Sequence, residues 1–448
     1  MKRILVLGAG LSASSMIKYL LDHAEDNDWK VIVADQSKDL AKNKIAGHNR
    51  GEALFFDVFD RELRTQLISS VDVVISMLPA RFHYLVAQQC IESGKHMITA
   101  SYISDDIRNL NNAALEKDVL LLNEMGVDPG IDHMSAMQVI DRIRNSGGKI
   151  TAFESSTGGL VAPEHDNNPW NYKFTWNPRN VVVAGQGVSK FLHNGQLKYI
   201  PYHKLFSRTE TVDILDYGKF EIYPNRDSLK YKNIYCLDDV KTLFRGTIRR
   251  PGYSKAWNIF VQLGMTDDSY FIDCEGLTYR EFTNSFLEYR KNIPLEQKLA
   301  DYIHEDLESE IMQKLTWTGI FERKLIGLKR ATPAQILQHL VESKWKLGKE
   351  ERDMIIMQHK FEYTYDDMEK EIKSTMVVKG DDPVHTAMSI TVGIPVAIAA
   401  KLLLQGRIKV RGAQLPVVKD IYEPIMKELA GYGIRFIEEE SMVGEVVN

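Results

Sequence analysis

The run VLGAGLSAS, residues 6–14, constrains the fold more than any other stretch of the chain. It follows the apolar, strand-like RILVL and opens a helix-like segment, giving the spacing Gly8-x-Gly10-x-x-Ala13. In a strand-turn-helix unit the first glycine permits the tight turn and the second lets the backbone approach a pyrophosphate. The small third residue allows close helix-to-strand packing. The free N–H groups of the helix start then face the phosphates. The pattern alone is weak, but here it begins a complete β-α-β unit, and dinucleotide binding is the reading preferred to a purely structural glycine turn.

The text that follows supports it. RILVL, KVIVAD, ALFFD, VDVVISML, KHMITA and VLLLN alternate with helical patterns such as SASSMIKYLLDHA and RFHYLVAQQCIESG. Strands apolar almost throughout, joined by helices, predict a parallel sheet covered on both faces, a doubly wound or Rossmann domain. In such a domain the carboxyl ends of the strands form the ligand crevice. That places Gly8, Gly10, Leu11, Ser12, Ala13, Asp35, Gln36, Asp57, Val58, Met77, Leu78, Pro79, Ala100 and Ser101 among the candidate cofactor contacts. Asp57 and Val58 stand where adenine contacts occur. Asp35 ends the second strand, where an acid hydrogen-bonds the ribose 2′-hydroxyl and repels a 2′-phosphate; NAD is therefore expected over NADP, unless Asp35 merely caps a turn.

Beyond Gly147 the texture changes. GGKITAFESSTGG, VDILDYGKFEIYP and RGTIRR read as strands, DDVKTLF and SKAWNIFVQLG as helices, and residues 294–352 as largely helical. The expected organisation is a Rossmann domain over 1–125 completed by 390–448, a second α/β domain over 126–293 and 353–389, and a helical insertion over 294–352. The apolar MSITVGIPVAIAAKLLL, residues 388–404, contains Lys401 and Pro395 and reads as a buried helix that falls short of a membrane span.

Composition excludes several classes. The 448 residues are 44% hydrophobic and 26% charged with a net charge of −5, so neither nucleic acid nor an anionic membrane is an expected partner. Cys90, Cys236 and Cys274 form no pair with metal or redox spacing, and the histidines show no HxxH or HExxH. No metal is expected. The opening MKRILVLGAG leaves no room for a secretory signal, so the expected location is the cytoplasm.

Two further stretches carry chemistry. YPNRDS offers Arg226, and RGTIRRPGY gathers Arg245, Arg249 and Arg250. Arginine forks bind carboxylates bidentately, although such clusters are more often solvated faces or ion-pair networks. GVDPGIDH, residues 126–133, sets two acids around a Pro-Gly turn. Asp128 at a strand's carboxyl end is the proposed ligand contact, Asp132 the cap of the following helix, and His133 a weaker candidate that one helical turn directs toward the core.

With these motifs in hand the chain resembles saccharopine dehydrogenases of the L-glutamate-forming type, the saccharopine reductases. NEMGVDPGIDH, STGGLVAPEHDNNPWNYKFTWNPR, YPNRDS, RGTIR and TVGIPVAIAAKLLLQGRI are similar to that family's blocks, and the likeness covers nearly the whole chain. The resemblance implies an α/β enzyme of lysine metabolism with a second domain for substrate and dimerisation. The implied activity interconverts saccharopine with L-glutamate and 2-aminoadipate 6-semialdehyde, using NAD or NADP. It also implies substrate contacts at Ser101, Tyr102, Asp128, Arg226, Thr247, Ile248 and Arg249, a tentative catalytic part for Asp128, and a homodimer. Fungal members end the second strand with a basic residue suited to NADP, where this chain has Asp35. The alternatives weighed are a related reductive-amination dehydrogenase of polyamine synthesis, resembling carboxynorspermidine dehydrogenase, and a dinucleotide-binding regulator without catalysis. Arg226 and Arg249 favour the more anionic substrate.

Overall fold

The structure, a computed structural model, describes residues 1–444. Its chain divides into two compact units: residues 1–149 with 376–437, and residues 150–375 with the segment from 438 onward.

In the first unit the strands β1 (Lys2–Leu7), β2 (Trp29–Asp35), β3 (Gly51–Phe55), β4 (Val73–Ser76), β5 (His96–Ile98) and β6 (Leu120–Leu122) are parallel, in the order β3-β2-β1-β4-β5-β6. Gly412–Gln414 adds a further parallel strand beside β6. The strand order reverses between β1 and β4, where a doubly wound sheet opens its crevice. Unbroken apolar strands require cover on both faces, and the burial shows it. Leu5, Leu7, Ile32, Val74 and Leu121 pack with the helix residues Ile68, Val86 and Ala114 in one core. Ile4, Val6, Val31, Val33, Val73 and Ile75, on the opposite face, are equally inaccessible.

The apolar helix Ala387–Leu404 belongs to this unit and lies against the helix Ser14–Asp22. A side chain at Gly393 would come within 2.9 Å of Met16 Cβ, so the absent side chain sets how closely the two helices approach. Contrary to the sequence expectation, this helix has the length and apolarity of a membrane span, yet 83% of it is buried inside the fold.

In the second unit β7 (Lys149–Val161), β8 (Val188–His193), β9 (Gln196–Pro201), β10 (Glu210–Asp213), β11 (Lys219–Pro224), β12 (Thr242–Arg249), β15 (Asp353–Tyr365), β16 (Met368–Lys379) and Phe436–Met442 form a mixed nine-stranded sheet. The short β13 (Ile272–Asp273) and β14 (Arg330–Ala331) pair separately. The helical stretch expected of DDVKTLF is instead a turn leading into β12; Leu243 and Phe244, buried in the sheet, outweigh the local helical pattern.

The boundaries differ from the sequence expectation in four ways. Residues 126–149 stay in the first unit, because the helix Ile131–Asn145 packs on Lys419–Leu429 and its Asp141 accepts a 2.5 Å hydrogen bond from Tyr422 Oη. The return to the first unit begins at residue 376 rather than 390. The last strand leaves the first unit to extend the sheet beside β16. Residues 294–352 are helical as expected but do not form a core of their own: Leu299, Leu315, Leu337 and Trp345 share one cluster with Trp170, Trp257 and Phe260.

Candidate active site

The glycine loop shows two different reasons for glycine. Gly8 has φ +99°, and a Cβ there would lie 2.9 Å from the Met77 carbonyl oxygen at the end of β4. Neither an L side chain's geometry nor the space allows one. Gly10 has an extended backbone, is exposed, and a Cβ would meet no protein atom within 4 Å. Protein packing does not explain that glycine; the close approach of a ligand's phosphates does. Leu11 is exposed, Ser12 half-buried and Ala13 buried, and Ser15 N donates to Ser389 Oγ at 3.0 Å. This tie brings the start of the helix Ala387–Leu404 to the loop, which the sequence reading did not foresee.

Asp35 accepts from Ala9 N through Oδ2 and from Ser37 N through Oδ1, both at 2.8 Å. The carboxylate therefore fastens the glycine loop to the turn after β2, beyond the simple turn cap considered from sequence. Gln36 beside it is exposed. Asp57 Oδ1 accepts from Phe59 N at 3.0 Å. Val58 is 4% exposed and packs in the core, so its side chain makes no ligand surface, a correction to its reading as an adenine contact. Phe59, unnoticed in the sequence, is 68% exposed and packs edge-on against Phe82 at 5.3 Å, with the Arg81 guanidinium over the same Phe82 ring at 4.7 Å. Met77 and Leu78 are half-buried and Pro79 is exposed.

At the ends of β5 and β6, Ala100, Ser101 and Tyr102 are half-buried. Ser101 Oγ lies 2.8 Å from His83 Nε2, and His83 Nδ1 lies 2.8 Å from Ser76 Oγ. Burial pushes the His83 pKa down to about 4, so the ring is neutral and presents one donor and one acceptor. Tyr102 Oη donates to Asp128 Oδ1 at 3.1 Å. The turn carrying Asp128 closes on itself: Gly126 N donates to Pro129 O and Ile131 N to Gly126 O, both at 2.9 Å. Its Asp128–Pro129 peptide is cis. A side chain at Gly130, φ +147°, would lie 2.1 Å from Gly126 O. Within 126–130 only Asp128 keeps solvent access. Asp132 Oδ1 accepts from Gly130 N at 2.5 Å and His133 N at 2.8 Å. It does serve the helix start, from inside the first turn rather than from the cap position, which Gly130 holds. His133 is fully buried, as its helical position predicts.

In the second unit, β12 runs between β11 and β7 and presents Thr247 and Arg249 on one face. Arg249 is 5% exposed, with its guanidinium 5.1, 5.9 and 5.3 Å from the ring centres of Tyr172, Tyr223 and Tyr253. Nη1 donates to Ile248 O at 2.9 Å and the Tyr253 hydroxyl is a further hydrogen-bond partner, while Nε has none and no described carboxylate pairs with the group. Burial opposes its charge, but the three tyrosines prevail and raise its pKa above the ordinary arginine value. Ile248 is 0% exposed; the strand's alternation turns it away from that face, so only its backbone remains a candidate contact. Arg226 is exposed, in the loop after β11, with φ +53°. Arg245 and Arg250 are occupied: Arg245 donates to Tyr231 Oη at 2.5 Å, and Arg250 lies over the Phe220 ring and donates to Tyr217 O.

The cofactor candidates thus gather at one edge of the first unit, together with Ser101, Tyr102 and Asp128. Arg226, Thr247 and Arg249 belong to the second. Among the described residues no group of three or more His, Cys, Asp or Glu side chains is arranged to hold a metal ion.

Comparison with known proteins assigns two parts of the chain to two domain families, with a boundary that falls before Asp128 rather than at residue 149. Residues 4–122 match the saccharopine dehydrogenase NADP binding domain, and residues 126–434 the saccharopine dehydrogenase C-terminal domain. The L-glutamate-forming, NADP(+) saccharopine dehydrogenase of Schizosaccharomyces pombe is 33% identical over 450 residues, spanning 98% of this chain and 99% of that one. The mitochondrial alpha-aminoadipic semialdehyde synthase of Mus musculus is 34% identical over 97% of this chain, which spans 47% of its length. The apo saccharopine dehydrogenase (L-Glu forming) structure from Saccharomyces cerevisiae superposes with a TM-score of 0.89 at 31% identity, covering 98% of this chain and all of that one. On this evidence the chain belongs to the saccharopine dehydrogenase family.

Proposed function

We propose that the protein is a nicotinamide-dependent oxidoreductase that converts saccharopine and water into L-glutamate and 2-aminoadipate 6-semialdehyde, and runs the reverse condensation. The observation that carries this reading is Arg249, a buried cation with an unpaired Nε and no carboxylate of its own. A guanidinium that its surroundings keep charged, with hydrogen-bonding capacity left at Nε, suits a carboxylate ligand, and saccharopine carries three carboxylates. The near-full-length fungal relatives support the same substrate.

The bound nicotinamide dinucleotide would accept hydride from the carbon next to the secondary amine. The chain's residues do the remainder. Gly10 and the helix start behind it receive the phosphates; Arg249, with Arg226, holds substrate carboxylates. Asp128, which receives the Tyr102 hydroxyl, takes the proton that the amine sheds as hydride leaves the neighbouring lysine-side carbon, and steadies the water that adds to the resulting imine. Addition of that water and cleavage of the carbon–nitrogen bond release the glutamate amine and leave the aldehyde.

For the cofactor the relatives support NADP, and the preference for NAD expected from Asp35 finds no support in them. Our reading is that Asp35 serves as the tie between Ala9 and Ser37, and that the exposed Ser37 and Lys38 receive a 2′-phosphate. Mass spectrometry of products from saccharopine and NADP tests the reaction. L-glutamate with the semialdehyde is expected; L-lysine with 2-oxoglutarate would show that the other carbon–nitrogen bond is cut.

A further inference from the structure

Tyr102 is flanked by two hydrogen bonds to a single residue. Glu124 N donates to Ser101 O at 3.0 Å, and Ile103 N donates to Glu124 Oε1 at 3.0 Å. Glu124 therefore grips the chain immediately before and immediately after Tyr102. Its other oxygen, Oε2, lies 2.7 Å from His133 Nε2. The pair is deeply buried, Glu124 at 3% exposure and His133 at 0%.

The arrangement is costly in two ways. Glu124 has φ +60°, a left-handed conformation that is unfavourable for a residue with a side chain. A buried carboxylate must also be desolvated, which it survives only when its oxygens are occupied. To close a loop on one backbone N–H, an asparagine, which tolerates the left-handed conformation and carries a side-chain acceptor, would serve with less penalty. What the glutamate adds is a direction. With Oε2 on His133, Oε1 points at Ile103 N and cannot turn away.

His133 stands in the first turn of the helix Ile131–Asn145, directly after the 126–130 turn that carries Asp128. The Glu124–His133 pair thus joins the loop bearing Tyr102 to the segment bearing Asp128. The distance it controls is the 3.1 Å from Tyr102 Oη to Asp128 Oδ1.

We infer that Glu124 and His133 are positioning residues that hold the Tyr102–Asp128 pair in register for turnover. This inference rests on the reaction proposed above. Neither residue touches substrate in this scheme, and both act through Tyr102.

The test is a double-variant cycle on the full chain with saccharopine and NADP: wild type, Glu124→Ala, Tyr102→Phe and the double variant. His133→Ala replaces Glu124→Ala should the latter not fold. Glu124→Ala is expected to lower kcat about tenfold with KM for saccharopine changed less than about threefold, and to cost less than about twofold more once Tyr102 is phenylalanine. Losses that multiply would overturn the inference, because Glu124 would then act by another route. Hydrogen exchange of residues 101–104 reads the clasp without turnover and should quicken about fivefold or more in the Glu124 or His133 variant. Unchanged exchange overturns the clasp whatever the activity. A wild-type protein that turns over no saccharopine, with exchange quickened in the variant, refutes the proposed reaction and leaves the clasp supported.

Discussion

Asp35 Oδ2 accepts a hydrogen bond from Ala9 N at 2.8 Å, so the acid that ends β2 is fastened to the glycine loop. In the cofactor site proposed above, with Ser37 and Lys38 receiving the 2′-phosphate, the Asp35 charge would oppose that phosphate. Asp35→Asn keeps an acceptor for one of the two backbone N–H groups and removes the charge. The ratio of kcat/KM for NADP over NAD should rise about tenfold in steady-state assays, and a fall in that ratio would contradict this placement.

Gly8 and Gly10 are separable. Gly8→Ala puts a side chain at φ +99° and 2.9 Å from Met77 O, so thermal denaturation should shift down by about 4 °C or more. In Gly10→Ala the added Cβ meets no protein atom within 4 Å, so Tm should stay within about 2 °C while the Kd for NADP, from calorimetry, rises about tenfold or more. Equal effects on stability from both changes would remove the distinction drawn between a packing glycine and a ligand glycine.

Arg249→Met is the sharpest test of the buried cation. The Ile248 carbonyl and the three tyrosine rings hold the charge but no ion pair depends on it, so an apolar side chain of similar length should lower Tm by no more than about 4 °C. KM for saccharopine should rise about tenfold or more. A large drop in Tm with KM unmoved would make Arg249 a structural residue.

The glycine loop and the alternation from Arg3 to Leu122 predict a doubly wound parallel sheet, and the observed order β3-β2-β1-β4-β5-β6 is of that kind, because local pattern and sheet topology agree there. The destination of the last strand, Phe436–Met442, was not legible, since alternation names a strand but not the sheet it joins. Residues 294–352 hold three helices, Leu295–Ile303, Glu310–Thr318 and Pro333–Lys344, beside the short strand Arg330–Ala331; that they share a core with Trp170 and Trp257 depends on contacts far apart in sequence. Val58 and Ile248 stood at plausible motif positions, and only the observed burial shows their side chains turned inward. Glu124 sat unremarked two residues before GVDPGIDH. Neither its positive φ nor its partnership with His133 leaves a mark in residue type.

Glu154 on β7 adds a pH dependence. Burial raises its pKa to about 7, Lys360 counteracts this, and Glu210, Glu362 and Glu371 add to it. A carboxyl whose folded pKa exceeds the unfolded value of 4.5 binds its proton more tightly when folded, so its contribution is present below pH 4.5 and is lost as pH rises toward 7. Glu154→Gln should therefore raise Tm relative to wild type at pH 8 and bring little gain at pH 4.5, as scanning calorimetry would read it. The reverse order of gains would show that Glu154 is ionised in the folded protein at low pH.

The central claim is the reaction itself, and one spectrophotometric measurement tests it most directly: nicotinamide absorbance after saccharopine is added to the purified protein with NADP, and separately with NAD. The account predicts a saccharopine-dependent rise with NADP, matched by formation of L-glutamate. No rise with either dinucleotide would contradict it.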